Sequence, residues 1–302
     1  AIGMPAFAAV SGAAPDITGL TLERLMETEV LGASRFPQKI SEAPSNVTVV
    51  TAAEIRAYGH KTLADTLRSI PGIFVGYDRN YSYAVVRGFG RPGDYNSRIL
   101  LNLDGSRLND AVWGSALLGT EFVLDVALID RVEFVAGPSI YGNNAFLGVV
   151  NVYTKRGDQV KGVQAAAETG SGRADRLRLT AGGRTDGGLD WLLSGTNYRS
   201  RGGDLYFGEF DAPATNGGIA HDADYDRFRQ VFAKAAYGRW RVEGALSTRT
   251  KGIPTGVAGA AFNDPAVYSI DNQGFLNAQH EGVTDAGDLL VRAFLGSYPY
   301  RG

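Results

Sequence analysis

Three carboxylates on alternating positions, in Asp222-Ala223-Asp224-Tyr225-Asp226, are the nearest approach to a metal-binding pattern in this chain of 302 residues. Hard oxygen ligands at this spacing could hold a calcium ion and order a loop, although the Gly and terminal Glu of a complete calcium loop are missing. No other cofactor is expected. Gly88-Phe89-Gly90-Arg91-Pro92-Gly93 has the G-x-G-x-x-G spacing of a dinucleotide site and follows a strand-like run. The segment after it, Pro92-Gly93-Asp94-Tyr95-Asn96, is turn-like and leads to another strand at Ile99, so no helix N-terminus is available for a pyrophosphate. The three histidines, His60, His221 and His280, are scattered, and neither G-x-S-x-G nor H-E-x-x-H occurs. There is no cysteine, which removes thiol catalysis, disulfides and Cys-based zinc sites together. The residues assemble no catalytic constellation, and an enzyme is not expected.

The elements that must position any site are of two kinds. Val47 to Val50 reads as a strand, and Thr51-Ala52-Ala53-Glu54 is a capping box that opens a helix ended by Gly59. Thr62 caps a second helix carrying Leu63, Leu67 and Ile70 and stopped by Pro71-Gly72. Strands are expected around Ile73 to Val75, Ala84 to Arg87, Ile99 to Leu103, Val132 to Ala136 and Gly148 to Thr154. After Gly157 the pattern turns to alternating strands near 160–169, 174–183, 188–199, 226–238, 239–250, 272–281 and 287–298. In the run from Arg239 to Ser247, Arg241, Glu243 and Ser247 share one face while Trp240, Val242 and Leu246 share the other. Alternation alone fits a soluble sandwich as well as a barrel. Loop lengths favour the barrel. Gly182 to Gly188, Gly238-Arg239 and Gly282 to Ala286 are short and fall at one end, whereas Ser200 to Tyr225 and Lys251 to Asp271 are long and fall at the other, as in outer-membrane barrels.

Ile129 to Arg156 read IDRVEFVAGPSIYGNNAFLGVVNVYTKR. This stretch resembles the closing segment of the plug domain of TonB-dependent outer-membrane receptors. Leu67 with Ile70-Pro71-Gly72, Arg87-Gly88-Phe89, Leu103-Asp104-Gly105 and Tyr141-Gly142 with Asn144-Ala145 follow in that family's order. Glu27, Thr28, Glu29, Val30, Leu31, Gly32 and Ala33, followed by Ser34-Arg35, resemble the TonB box, with Glu29 and Gly32 in place of the usual Val and Thr. Two further departures are Ala136, where the family has Arg before Gly137-Pro138, and a short loop from Pro138 to Tyr141. An Arg there would pair with acids of the barrel wall.

The resemblance implies an α+β plug domain followed by part of an antiparallel transmembrane β-barrel. Seven strands of about 22 are expected, so the sequence reads as the N-terminal part of a longer chain. The expected divisions are 1–15, a signal-peptide remnant or disordered segment; 16–40, a segment with a short helix over Leu20 to Met26 and the TonB box; 41–157, the plug; and 158–302, the first part of the barrel. A net charge of −2 offers no polycationic surface for nucleic acid. No run approaches about 18 apolar residues, so no membrane helix is expected.

The implied function is active import of a large scarce nutrient, a ferric siderophore first and cobalamin second. The implied partners are the TonB complex, a metal chelate and outer-membrane lipid. Ligand contacts are expected at the plug apices, from Asp78, Arg79, Tyr81, Tyr83, Asn109, Asp110 and Trp113, under a long loop from Ile253 to Pro265. Two rival readings are a passive porin-like barrel with a stopper domain and a soluble binding protein.

Overall fold

The computed structural model describes residues 29–30, 38–39, 47–137, 142–284 and 287–302. Segment 1–15, the helix expected over Leu20 to Met26, Glu27, Thr28, Leu31, Gly32 and Ala33, and the Pro138 to Tyr141 loop lie outside the described residues. Of the positions expected to form the TonB box, Glu29–Val30 form a short strand β1, paired antiparallel with β2 (Gln38–Lys39).

The plug is built around a five-stranded mixed sheet. It comprises β3 (Val47–Thr51), β6 (Ile99–Leu103), β7 (Ser106–Arg107), β8 (Ile129–Ala136) and β9 (Gly148–Thr154), in the order β3-β8-β9-β6-β7. Only β6 and β9 are parallel. A separate hairpin is formed by β4 (Ile73–Tyr77) and β5 (Ser82–Val86). Strands β6 and β9 are buried on both faces, which explains their continuous apolar runs. Val150 and Val152 face the main core with Leu63, Leu67, Ile99 and Phe122, while Val149 faces Leu100 and Val135 on the other side. Both helices begin where their caps predict. Thr51 and Glu54 bond each other's backbone N–H groups around the helix Ala52–Ala57, and Thr62 and Asp65 do the same around Leu63–Arg68. Each cap contributes about 1 kcal/mol.

The barrel wall is an antiparallel sheet of seven long strands in sequence order, and all seven expected strands are present. They are β10 (Gly162–Gly170), β11 (Ala174–Arg184), β12 (Asp190–Ser200), β15 (Asp226–Tyr237), β16 (Trp240–Gly252), β17 (Tyr268–Thr284) and β18 (Gly287–Ser297). The short β19 (Tyr300–Arg301) adds to β17, and the long loop after β12 carries a small hairpin of β13 (Leu205–Tyr206) and β14 (Ile219–Ala220). Alternation along β16 resolves as expected. Glu243, Ser247 and Arg249 are buried against the plug, while Trp240, Val242 and Leu246 are exposed on the outer face. The β11–β12, β15–β16 and β17–β18 connections lie at one end of the wall, and the loops 201–225 and 253–267 lie at the other together with the short 171–173 turn.

Candidate functional site

At the loop end, the plug apices and the wall enclose a cavity of about 330 Å³, within the usual range for ligand sites. Its lining is aromatic with a few polar groups: Tyr81, Tyr95, Trp113, Tyr298 and Tyr300 with Asp110 and Glu121. Tyr81 and Tyr95 meet edge to face at 5.8 Å between ring centres. Val112 and Trp113 stand open at the tip, Trp113 being 74% exposed.

The position of these rings is set from beneath by Asp271 on β17. Its Oδ1 accepts hydrogen bonds from the Tyr81 and Tyr298 hydroxyls, both at 2.7 Å, and its Oδ2 lies 3.1 Å from the Arg249 guanidinium. Arg249 is 1% exposed and serves as a hub. It also donates to the Asn80 carbonyl at 2.6 Å and lies 3.4 Å from Asp226 and 3.9 Å from Glu121. Asp226 in turn accepts from Thr120 at 2.6 Å. Burial raises the Glu121 carboxyl above the usual carboxylate range, and the attraction of Arg249 only partly offsets it. Burial likewise pushes the Tyr77 and Tyr81 hydroxyls upward, so both remain neutral, and Tyr81 donates to Asp271. One plug tip, residues 78–81, is therefore tied to three wall strands through a single buried arginine.

Two further ionic latches hold the plug. Lys234 on β15 donates to Asp104 at 2.9 Å and to Thr154 at 2.8 Å, and lies 3.7 Å from Glu243. Asp125 accepts from Thr196 at 2.8 Å and pairs with Arg176 at 2.8 Å. Burial would raise both plug carboxyls, but the opposing cation and the donated hydrogen bonds outweigh it and hold Asp104 and Asp125 below the usual carboxylate range. Arg292 donates to the Gly105 carbonyl, and Gln230 donates to the Phe122 carbonyl at 2.6 Å. In the two ionic latches the plug supplies the acid and the wall the cation, whereas Lys61–Glu168 and Arg79–Asp224 run the other way. The polarity of the two latches is the reverse of the pairing implied for an Arg at position 136, where Ala136 packs against apolar core instead.

Of the residues expected to meet ligand, Tyr81, Asp110 and Trp113 line the cavity. The other four are engaged elsewhere. Asp78 caps its own turn by accepting from the Asn80 and Tyr81 N–H groups, and Arg79 pairs with Asp224 at 3.5 Å. Tyr83 lies across Gly76, whose missing side chain makes room for the ring. Asn109 bonds Leu101, Ile99 and Gly114, bracing β6. Asp110 both faces the cavity and caps Val112, Trp113 and Ser115. Sequence reasoning missed Tyr95, Tyr298 and Tyr300. Tyr95 sits, with a left-handed backbone (φ 48°), in the turn after the decoy glycine motif, and its place beside Pro92-Gly93 was the available signal.

The structure engages the acidic triplet in ion pairs. Asp224 lies 2.7 Å from Lys251, Asp226 serves Arg249, and Asp222 is exposed. Among the described residues, no three acidic, histidine or cysteine groups gather at metal-binding distance. The glycine motif Gly88 to Gly93 is turn and bridge, with no helix after it.

A mixed-sheet domain filling a wall with an apolar outer face and a charged inner face defines a plugged membrane barrel. Residues 39–149 match the TonB-dependent receptor plug domain model. A vitamin B12 transporter of Vibrio vulnificus is 33% identical over 150 residues, covering 48% of this chain and 23% of that protein. One from Vibrio cholerae serotype O1 is 30% identical over 158 residues, covering 52% and 25%. Among solved structures, the ferric yersiniabactin uptake receptor of Yersinia pestis superposes with a TM-score of 0.60 at 20% identity, over 90% of this chain and 43% of that one. The ferripyoverdine receptor of the Pseudomonas aeruginosa outer membrane gives 0.60 at 16%, over 89% and 36%. The chain thus spans less than half the length of the receptors it matches. Residues 39–149 are thus a TonB-dependent receptor plug domain, and the strands that follow share the fold of the first barrel strands in these receptors.

Proposed function

We propose that the full receptor actively imports a bulky metal chelate, a ferric siderophore first, across the outer membrane, and that it carries out no covalent chemistry. The observation that carries this reading is the coupling of the aromatic cavity to the plug latch. Tyr81 and Tyr298 reach Asp271, and Asp271 holds Arg249, which binds the plug tip at Asn80. A ligand that stacks on Tyr81 and draws its hydroxyl from Asp271 alters the charge balance around Arg249. The latch then favours a second plug position by as much as the ligand prefers it. The proposed output is the TonB box. Its Glu29–Val30 pairing is two residues long, short enough to be exchanged for a strand of a periplasmic partner.

Broad aromatic surfaces with few fixed charges suit a large planar or chelated ligand better than a bare ion. Cobalamin is the second reading, favoured by the sequence relatives that are vitamin B12 transporters. Uptake of radiolabelled ferric chelates and of cobalamin by cells bearing the full-length gene, with and without a protonophore, tests the proposal. Uptake abolished by the protonophore supports active import. Uptake that persists supports the passive barrel with a stopper.

A further inference from the structure

The outer face of the wall carries a cluster that import does not use. Five arginines, Arg173, Arg199, Arg201, Arg227 and Arg229, line a cleft of about 830 Å³ near the loop end. All five are exposed, in a chain whose net charge is −2. The facing is fixed by register. Thr196, Gln230 and Arg249 contact the plug, so Asn197, Arg199, Arg227, Arg229, Thr248 and Thr250 point to the opposite side. Arg199 and Arg227 are directly paired across β12 and β15, an arrangement that repels unless an anion neutralises it. One carboxylate is close: Asp175 lies 3.0 Å from Arg199, on a pair that is largely exposed. Arg227 leans on the Tyr225 ring at 5.4 Å. Among the described residues, Arg173, Arg201, Arg227 and Arg229 have no carboxylate within ion-pair distance.

Height in the membrane identifies what can neutralise them. Tyr237 and Trp240 are paired and exposed at the short-turn end, where an aromatic girdle meets the inner interface. Above them the outer face is apolar through Val242, Leu193, Val231 and Leu246. Arg227 lies ten residues along β15 from Tyr237. At ~3.4 Å per residue and a tilt of ~40°, that is ~26 Å of height, against an apolar band of ~25 Å. The Arg199–Arg227 rung therefore stands where the acyl chains of the outer leaflet give way to headgroups. A guanidinium fork matches phosphate oxygens in two-point contact, and adjacent forks suit a headgroup bearing more than one phosphate.

We propose that Arg199, Arg227 and Arg229, flanked by Arg173 and Arg201, form a binding site for the phosphate groups of an anionic outer-leaflet lipid. The site shares the outer-membrane placement of the chain and is independent of what the receptor imports. The test uses the full-length receptor in neutral detergent. Its thermal midpoint and its retained lipid, read by native mass spectrometry, are followed on addition of diphosphoryl lipid A, its dephosphorylated form, or inorganic pyrophosphate at equal phosphate. The expected result is a midpoint raised by the phosphorylated lipid alone, with retention about tenfold weaker for each arginine removed. The R199Q/R227Q variant should lose that response. In detergent without lipid it should melt no lower than the parent, because the repelling pair is gone. R229Q carries the same test should the double variant fail to insert. Equal retention by parent and variant would overturn the proposal. So would a matching response to pyrophosphate, which would point to a soluble anion, or to the dephosphorylated lipid, which would point to apolar contact.

Discussion

Replacing Lys234 with Met should loosen the plug by an amount that the structure sets. Lys234 is the cation shared by Asp104 and Glu243, whose side chains are 6% and 0% exposed. Without it, two buried carboxyls face each other with no counter-charge. Breaking a buried pair in this way costs roughly 3–5 kcal/mol, or about two to three and a half orders of magnitude in an opening equilibrium. The chain has no cysteine, so one introduced thiol reports cleanly. Ser106 is buried next to Gly105, the residue held by Arg292, and S106C is a near-isosteric probe. Maleimide labelling of S106C in the full-length receptor, under conditions where closing outpaces labelling, tracks the open population. K234M should speed labelling by about a hundredfold or more, and K234M/D104N should recover part of the loss, since the double variant removes one of the two stranded carboxyls. The pH dependence has a definite sign. Asp104 is held below its unfolded value, so its contribution is complete above the unfolded carboxylate range and fades as pH falls through the folded value. Labelling of the parent should therefore quicken on acidification, and D104N should remove that part of the response. Labelling of K234M within about threefold of the parent would refute the latch and the magnitudes argued from it.

Three further outcomes follow from other contacts. Asp125→Asn should leave Arg176 facing a neutral group and destabilise the seated plug by about 3 kcal/mol, and it should remove the acid sensitivity that the lowered Asp125 carboxyl imposes; chemical denaturation at two pH values reads both effects. Trp113→Ala, at an open tip, should change stability by less than about 0.5 kcal/mol while weakening chelate binding tenfold or more, measured by fluorescence titration of the full receptor. Gly157→Ala should be badly tolerated at the junction of plug and wall, because a Cβ there would lie 1.9 Å from the Trp191 carbonyl; a marked fall in thermal midpoint or in folded yield is expected.

The elements were legible wherever one local rule governed them. Thr51 with Glu54 and Thr62 with Asp65 marked helix starts because capping is a contact between near neighbours in sequence. The wall strands showed through their alternation, because on the central strands β12, β15 and β16 the inner residues are buried against the plug while the outer ones are exposed. The Trp240 face and the Arg249 face separated for the same reason. What could not be read was pairing across large sequence distances. Asp271 and Tyr81 are 190 residues apart, and Lys234 and Asp104 are 130 apart, so no local pattern couples them. Residues such as Asp78 and Asn109 looked like ligand contacts because they are polar and apical. Their hydrogen-bonding capacity is taken up by the loops that they brace. The departure at Ala136 was visible, but not the Asp104–Lys234 and Asp125–Arg176 pairs that latch this plug.

The most direct test of the account is removal of the TonB box, Thr28 to Ala33, from the full-length gene, with binding and uptake of the same ferric chelate measured in one strain. The account predicts unchanged binding and lost uptake, since the cavity is lined by Tyr81, Tyr95, Trp113, Tyr298 and Tyr300, and the proposed role of Thr28 to Ala33 is to engage the periplasmic partner. Uptake retained at the parental rate would contradict it.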